Sequence, residues 1–360
     1  MPAMDAIDAS PRESEGQAIA DQAGLRYVHD DEPGVRRRRA GRGFFYLDAE
    51  GGRVDSEATL QRIRELAVPP AWTDVWICRT RNGHLQATGR DARGRKQYRY
   101  HAEWAKVRGD GKFDRIVAFG THLPRLRRGL RRDLALPGFP QQKVAAILVA
   151  LLADSLARVG NGSYARDNRS YGLTTLRNRH IAFLRGGRAQ ISFRGKGGTA
   201  QEITVDDARL SRLVRRCQQL PGQRLFQYRE DDGTVRPVDS DQVNAYLHEV
   251  MGEAFTAKDF RTWGGTLEAF RAFAAAGPPD DPDAASVSSR RNEVVQAVAA
   301  TLCNTPAVCR KAYIDPVVFD GWLDGSIARA SANARGARQW EQALLKFLKA
   351  AHRRDKAHRR

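Results

Sequence analysis

The sequence of 360 residues has no hydrophobic run long enough to cross a membrane. Its longest purely apolar run is Val144–Ala153, whereas a membrane-spanning helix needs about 20 such residues. The first residues, MPAMDAIDASPRESEGQAIADQ, are acidic and lack the apolar core of a secretory signal peptide. We therefore expect neither an integral membrane protein nor an exported precursor.

Cysteine is scarce, and the sequence contains no CxxC pair and no histidine cluster near a cysteine. Zinc sites and disulfide frameworks show recognisable cysteine patterns, so we expect reduced thiols and a cytoplasmic location. The GxxxxGK[ST] loop that holds nucleotide phosphates is also missing. Since no carboxylate cluster suggests a metal site either, we expect no cofactor and no bound metal. The four cysteines are Cys78, Cys217, Cys303 and Cys309.

Acidic residues are too few to balance the basic ones. The chain has 60 Lys and Arg against 42 Asp and Glu, which gives a formal net charge of +18 and a pI near 10.3. Such an excess needs a polyanionic partner, usually nucleic acid. An anionic membrane surface is the alternative, but no amphipathic anchor lies outside the extreme C-terminus. With 41% hydrophobic residues the chain can bury a core, and its length favours two domains.

The first part of the chain, residues 25–104, has the pattern of a small β-rich domain. Residues 1–24 have no aromatic residue and little apolar periodicity, which predicts a disordered tail. Apolar spacing at 55–66 predicts a helix, and Asn82-Gly83 predicts a hairpin turn between two strands. Strands are expected at 43–47, 74–78 and 84–88.

The second part, residues 105–330, has a mainly helical pattern with a short β-sheet. Helical spacing of apolar residues begins at Val144, and this helix is expected to continue to Arg158 and end at Gly160. Strands are expected at 181–183, 191–193 and 203–205, followed by helices from Leu210 onward and a mobile stretch at 277–289. For residues 331–360 we expect a basic C-terminal tail with a short helix at 340–351. The expected fold class is α+β.

The segment Gly89–His101, GRDARGRKQYRYH, alternates basic and aromatic residues after a predicted strand. On an extended segment, Tyr98 and Tyr100 share one face. Basic side chains bind phosphates, and aromatic or Gln side chains meet base edges, so the segment suits a duplex groove. The alternative is a solvated basic loop whose tyrosines pack on the sheet. The candidate nucleic-acid contacts are Arg95, Lys96, Gln97, Tyr98 and Tyr100.

Two further basic runs have two interpretations each. Residues 124–132, PRLRRGLRR, lie beside the apolar helix and form either a phosphate-binding surface or a solvated helix face. Arg36–Arg39 is either a linker or a non-specific phosphate contact. We do not interpret it as a targeting signal.

Several single residues in the second part have side chains suited to phosphate chemistry. Arg158 ends the buried helix, and Lys196 lies in a Gly-flanked hairpin turn that projects its ammonium group beyond the sheet. Lys258 and Arg261 are three residues apart and therefore lie on one helix face. Taken singly, each could equally be a surface charge.

A second group follows near residue 304. Asn304-Thr305-Pro306 separates two predicted helices, with Thr305 as the N-cap of the second and Pro306 in its first turn. Tyr313 lies about two turns further along. Asn304 could serve only as a helix cap, and Tyr313 could be a core residue.

Taken in order, these segments resemble the type IB DNA topoisomerases, in their poxvirus-like bacterial branch. The catalytic part of that family resembles ARVGN (157–161), YGLTTLRNRHI (171–181), FRGKG (193–197), KDFRTWG (258–264) and NTP…RKAY (304–313). Its N-terminal domain resembles VPPAW (68–72) and QATGRDARGRKQYRY (86–100). The resemblance covers about residues 25–325, with the tails outside it.

The resemblance implies that Tyr313 is the nucleophile. It also implies an active site completed by Arg158, Lys196, Arg261 and Asn304. Many family members have His where this chain has Asn304, although bacterial members resemble this chain. Asn can donate a hydrogen bond but cannot change charge, so we expect phosphate contact there and no proton transfer. Lys258, a further expected DNA contact, matches the His of the His-x-x-Arg pattern of related tyrosine recombinases.

The implied chemistry is a metal-free transesterification. Forming the Tyr phenolate at pH 7 costs roughly 4 kcal/mol, and nearby guanidinium groups lower that cost. Arg158 and Arg261 would stabilise charge on the nonbridging phosphate oxygens, and Lys196 would protonate the leaving 5′-oxygen. The 3′-phosphotyrosine product keeps the phosphoester energy, so religation needs no ATP.

Three functions are compatible with these residues. The first is an ATP-independent topoisomerase, a monomer that closes as a clamp around double-stranded DNA in the nucleoid. The implied fold has a small β-rich N-terminal domain and a larger, mainly α-helical catalytic domain with a short β-sheet. A tyrosine recombinase is disfavoured by Lys258 and by the β-rich N-terminal domain. A non-catalytic architectural DNA binder would satisfy the charge alone.

Overall fold

The computed structural model describes residues 11–41, 43–92, 94–162, 165, 170–253, 255–279 and 283–358. The chain divides into two compact units, the first ending at Phe113 and the second beginning at Asp114. The first contains an antiparallel sheet and the second is mostly helical, which confirms the expected α+β class. Every helix within the described ranges is too short or too polar to cross a membrane.

The first unit is built on a five-stranded antiparallel sheet in the order β2-β1-β3-β4-β5. Its strands are β1 (Val35–Ala40), β2 (Gly43–Leu47), β3 (Thr73–Ile77), β4 (Leu85–Arg90) and β5 (Lys96–Tyr100). The predicted turn at Asn82-Gly83 joins β3 and β4. Among the described strands of this unit, β5 therefore forms one edge of the sheet.

Two helices complete the described part of this unit before residue 101. Helix α2 (Glu57–Glu65) confirms the helix predicted at 55–66, and the side chain of Ser56 caps its N-terminus. Helix α1 (Pro11–Gln22) corrects the prediction of a disordered tail. Ala20 and Leu25 are buried in a small cluster with Trp104, a contact between distant segments that short-range periodicity does not reveal. Residues 1–10 of the predicted tail lie outside the described residues.

The four arginines Arg36–Arg39 are part of strand β1. The interpretation of this run as a linker is therefore wrong. Arg37 explains how so basic a strand is accommodated. Its Cζ lies 4.2 Å from the ring centroid of Phe44, and its guanidinium donates hydrogen bonds to the carbonyl oxygens of Val68, Pro69 and Trp72. The charge is satisfied by neighbouring backbone, so Arg37 stabilises the fold of this unit.

The second unit has its core around helix α4 (Gln141–Ser155), whose central residues from Lys143 to Leu152 are buried except for the half-buried Ala150. Helix α3 (Ala102–Asp133) precedes α4 and contains the basic run 124–132. The later helices are α5 (Ala208–Gln218), α6 (Ser240–Met251), α7 (Ala257–Ala276), α8 (Ala284–Thr301), α9 (Pro306–Ala312), α10 (Val317–Leu323), α11 (Ser326–Ser331) and α12 (Ala337–His358). The described strands are β6 (Ile181–Phe183), β7 (Ala189–Arg194) and β8 (Ala200–Val205), paired in that order, and the hairpin β9 (Gln227–Arg229) and β10 (Val235–Pro237).

Several boundaries in this unit differ from the predictions. Helix α4 ends at Ser155, three residues before Arg158, because Leu156 adopts a left-handed conformation with φ 53°. The predicted mobile stretch is helical from Ala284 onward, capped by the side chain of Asp283, while residues 280–282 lie outside the described ones. The C-terminal helix is longer than predicted, and the β9–β10 hairpin was not predicted because its strands are very short.

Candidate active site

A cavity of about 310 Å³ in the second unit brings together five of the predicted functional residues. They come from segments far apart in the sequence: Arg158, Lys196, Lys258, Arg261 and Tyr313. Among the described residues that line this cavity, Asn304 does not appear. No group of three or more His, Cys, Asp or Glu residues in the described ranges is placed to hold a metal ion.

Arg261 is fixed in place by backbone groups on two sides. The residue is on α7 and only 4% exposed. Its Nη1 donates to the carbonyl oxygen of Leu156 at 2.5 Å, and its Nη2 donates to that of Leu302 at 2.8 Å. Its buried Nε has no hydrogen-bond partner among the described residues. The guanidinium is thus oriented before any substrate arrives, with one donor still unsatisfied.

The ring of Tyr313 lies directly against this guanidinium, since the Cζ atom of Arg261 is 5.0 Å from the ring centroid. The segment that carries Tyr313 reaches this position because Gly265 on α7 has no side chain. A Cβ atom there would lie 2.8 Å from the carbonyl oxygen of Tyr313. Thr266 donates from Oγ1 to that same oxygen at 3.2 Å. Helix α7 therefore positions both the cation and the phenol.

Gly264 makes room for the segment before Arg158 in the same way. A Cβ atom on Gly264 would lie 2.4 Å from Cδ1 of Leu156, so the glycine allows the turn after α4 to pack against α7. The two glycines after Trp263 therefore let the Leu156 side chain and the Tyr313 backbone lie close to the backbone of α7. Neither glycine nor Thr266 was singled out from the sequence, although two adjacent glycines inside a helix were a usable signal.

Arg158 lies close enough to Arg261 for the two charges to interact. Its Nη1 donates to the carbonyl oxygen of Cys303 at 3.3 Å, near the outer limit for a hydrogen bond. Burial lowers the pKa of Arg158, and the positive charge of Arg261 lowers it further. An anion between the two guanidinium groups would remove this repulsion. The arrangement therefore favours a bound phosphate.

The two arginines also hold the segment that leads to Asn304. Their hydrogen bonds end on the carbonyl oxygens of Leu302 and Cys303, just after α8. Oδ1 of Asn304 accepts a hydrogen bond from the backbone N–H of Thr305 at 3.0 Å, which leaves its Nδ2 as the group that can donate elsewhere. As predicted, Thr305 caps α9 and Pro306 begins it. Phosphate contact by Asn304 stays a prediction.

Lys196 is in the predicted turn between β7 and β8. The turn needs glycine, because Gly197 and Gly198 have φ values of 77° and 85°. The ion pairs found among the described residues do not include Lys196. Lys196 is exposed and lines the cavity from this short turn.

The predicted contacts of the first unit lie on edge strand β5 and just before it. Tyr98 and Tyr100 are 47% and 40% exposed, and their rings stack on one face of the strand with centroids 6.0 Å apart. This placement confirms that they share a face. The Tyr100 ring also packs within the first unit, with its centroid 6.1 Å from that of His84 and 6.2 Å from that of Trp104. Both rings keep an exposed part, and contact with nucleic acid stays a prediction.

Carboxylates hold the polar neighbours of these tyrosines. Lys96 forms an ion pair with Asp30 at 2.6 Å. Arg95 and Gln97 both donate to Asp91, at 2.7 Å and 2.9 Å. These three side chains are therefore ordered by the protein itself, and any phosphate contact by Lys96 or Arg95 competes with a carboxylate.

Comparison with known proteins identifies the family. The model of the catalytic core of eukaryotic DNA topoisomerase I matches residues 101–318, and that of the N-terminal domain of bacterial DNA topoisomerase IB matches residues 43–91. DNA topoisomerase 1B of Acanthamoeba polyphaga mimivirus is 32% identical over 286 residues, which cover 78% of this chain and 85% of the relative. The chain belongs to the type IB DNA topoisomerase family.

Membership in the type IB topoisomerases confirms the resemblance seen in the sequence and the expected fold class. The match to the catalytic core includes every cavity residue from Arg158 to Tyr313. It ends at residue 318, so helix α12 lies beyond it. Membership in this family supports DNA topoisomerase activity and DNA binding. The roles of the individual cavity residues stay predictions.

Proposed function

We propose that this chain relaxes supercoiled DNA by cleaving one strand through a 3′-phosphotyrosyl intermediate and then religating it, without ATP or a metal ion. The observation that carries this proposal is the position of Tyr313. Its ring lies 5.0 Å from Cζ of the buried Arg261, in a cavity that Arg158 and Lys196 also line. A phenol beside fixed cations is suited to nucleophilic attack on a phosphodiester.

In the proposed reaction, the Tyr313 hydroxyl loses its proton to water and its oxygen bonds to phosphorus, while the bond between phosphorus and the 5′-oxygen breaks. The nonbridging oxygens gain negative charge as the new bond forms. Arg158 and Arg261 would stabilise that charge with hydrogen bonds from their guanidinium groups, since both residues line the cavity. Asn304 would add a neutral donor through Nδ2. Religation is the same path in reverse, with the 5′-hydroxyl as nucleophile and Tyr313 as leaving group.

Lys196 is the proposed general acid for the leaving 5′-oxygen. Replacing Lys196 with Ala should slow cleavage of ordinary DNA by about 10²- to 10⁴-fold, the usual contribution of a positioned proton donor. When sulfur replaces the 5′-bridging oxygen, the leaving group departs as a thiolate and needs no proton. Cleavage of that substrate should therefore be slowed far less. The measurement is the single-turnover cleavage rate on both substrates, with Arg194→Ala in the same hairpin as the control. Equal slowing on both substrates would show that Lys196 is not the acid.

DNA binding is proposed for both units. In the first unit, the exposed pair Tyr98 and Tyr100 would contact the duplex, supported by Arg95, Lys96 and Gln97 beside them. In the second, Lys258 is exposed at the start of α7 and lines the cavity. We propose that a monomer closes around duplex DNA as a clamp and acts on the nucleoid in the cytoplasm.

Relaxation of a supercoiled plasmid in EDTA and without ATP tests the proposed function directly. The expected result is a ladder of topoisomers after the protein has been removed. A non-catalytic DNA binder would leave the linking number unchanged, and that result would reject the proposal. Strand exchange between two specific DNA sites, without relaxation, would indicate a recombinase instead.

A further inference from the structure

The C-terminal helix α12 reaches the segment that carries Tyr313 through one largely buried hydrogen bond between side chains. Nε2 of His352 donates to Oδ2 of Asp315 at 2.8 Å. Asp315 is only 1% exposed and the side chain of His352 only 15% exposed. A carboxylate this deeply buried needs a donor, since an unpaired buried charge is costly. His352 supplies that donor from 37 residues further along the chain.

Asp315 is in turn joined to the Tyr313 backbone. Its N–H donates to Oγ1 of Thr266 at 3.1 Å, and that hydroxyl donates to the carbonyl oxygen of Tyr313 at 3.2 Å. Oδ1 of Asp315 accepts the N–H of Val317 at 3.2 Å, at the start of α10. Asp315 therefore links α12 to this backbone, since its side chain accepts from His352 and its backbone N–H donates to the hydroxyl that bonds the Tyr313 carbonyl.

Other contacts dock α12 on the second unit independently of this pair. Phe347 packs against Phe270 with ring centroids 5.4 Å apart, and Gly321 leaves room for the Phe347 ring. Glu341 accepts a hydrogen bond from Arg127 of α3 at 2.7 Å. The helix can thus remain in place without His352. The His352–Asp315 pair is therefore not needed to dock α12. We expect its main effect to be on the position of the Tyr313 backbone.

We propose that His352 is a positioning residue for Tyr313, acting through Asp315 and Thr266. This inference rests on the proposed function, because its consequence is the rate of attack by Tyr313. Without the His352 donor, the Asp315 side chain turns toward another donor or water. The Asp315 backbone then shifts against Thr266, and the hydrogen bond from Thr266 to the Tyr313 carbonyl becomes less well fixed. The phenol then spends less time aligned with the phosphorus, and a displacement of about 1 Å can reduce such a rate about 100-fold.

The test compares three variants of the full chain on a duplex whose short cleaved strand dissociates, so that cleavage is a single irreversible turnover. His352→Ala should lower the cleavage rate constant by about 10- to 100-fold with little change in the DNA dissociation constant. His352→Gln retains an N–H donor and should recover most of that loss. Glu341→Gln removes the charge from a different polar contact of α12, the one with Arg127, and should cleave at the wild-type rate.

The amplitude of the reaction separates misfolding from misplacement. If His352→Ala lowers the folded fraction, the amplitude falls, while the rate constant still reports the folded molecules. A wild-type rate constant in His352→Ala would overturn the inference, as would equal losses in Glu341→Gln and His352→Ala. If the wild-type protein itself forms no covalent adduct, the proposed function fails instead, and the two failures are distinguishable.

Discussion

Replacing Tyr313 with Phe is expected to abolish both the covalent protein–DNA adduct and plasmid relaxation. The substitution removes only the phenolic oxygen, the atom proposed to attack phosphorus. Loss of a covalent nucleophile costs at least ~10⁴-fold in rate in other enzymes, which would place relaxation below detection here. The ring can still pack against Arg261 and Gly265, so DNA affinity should stay within about twofold of wild type. The measurements are a denaturing gel for the adduct and a binding titration.

Tyr171 offers a matched control for the loss of a hydroxyl group in this cavity. Tyr171 also lines it, and its hydroxyl is 3.4 Å from Nη2 of Arg179. Tyr171→Phe should therefore still form the adduct. Persistence of the adduct in Tyr313→Phe would reject Tyr313 as the nucleophile. Loss of DNA binding in that variant would instead assign its effect to binding.

The sequence predicts those parts of the site that depend on neighbouring residues. The turn at Lys196 follows from its flanking glycines, which accept φ values closed to other residues. The start of α9 follows from Thr305 and Pro306, a hydroxyl cap and a proline that fits the first turn. The shared face of Tyr98 and Tyr100 follows from two-residue alternation, although strand β5 itself was not among the predicted strands. In each case the decisive interaction spans only a few residues.

The parts that the sequence does not predict depend on distant contacts. Helix α4 was expected to reach Arg158, but Leu156 turns the chain earlier and packs against Gly264, more than 100 residues away in the sequence. Arg37 is in a strand because carbonyl groups of the 68–72 loop satisfy its charge. The link from His352 to Asp315 has no local signature at all. Periodicity and capping rules cannot reveal such pairs.

Replacing Arg261 with Ala is expected to reduce the cleavage rate by about 10²- to 10³-fold, the usual cost of losing one preorganised charge stabiliser. It also leaves the carbonyl oxygens of Leu156 and Leu302 without the donors that now hold them. Each lost partner of a buried group costs about 1–3 kcal/mol, so the free energy of unfolding should fall as well. The measurements are single-turnover cleavage and denaturant unfolding.

Arg261→Lys separates charge from geometry. Lysine keeps the positive charge but lacks the planar fork, so one ammonium group cannot reproduce the guanidinium that bonds both carbonyl oxygens and stacks on the Tyr313 ring. We expect a rate much closer to that of the Ala variant than to wild type. Arg271→Ala, on the same helix but outside the cavity lining, is the matched control and should cleave within about twofold of wild type. A near-wild-type rate in Arg261→Lys would mean that positive charge alone suffices, and that the fixed orientation of the guanidinium beside Tyr313 is not what makes the phosphate reactive.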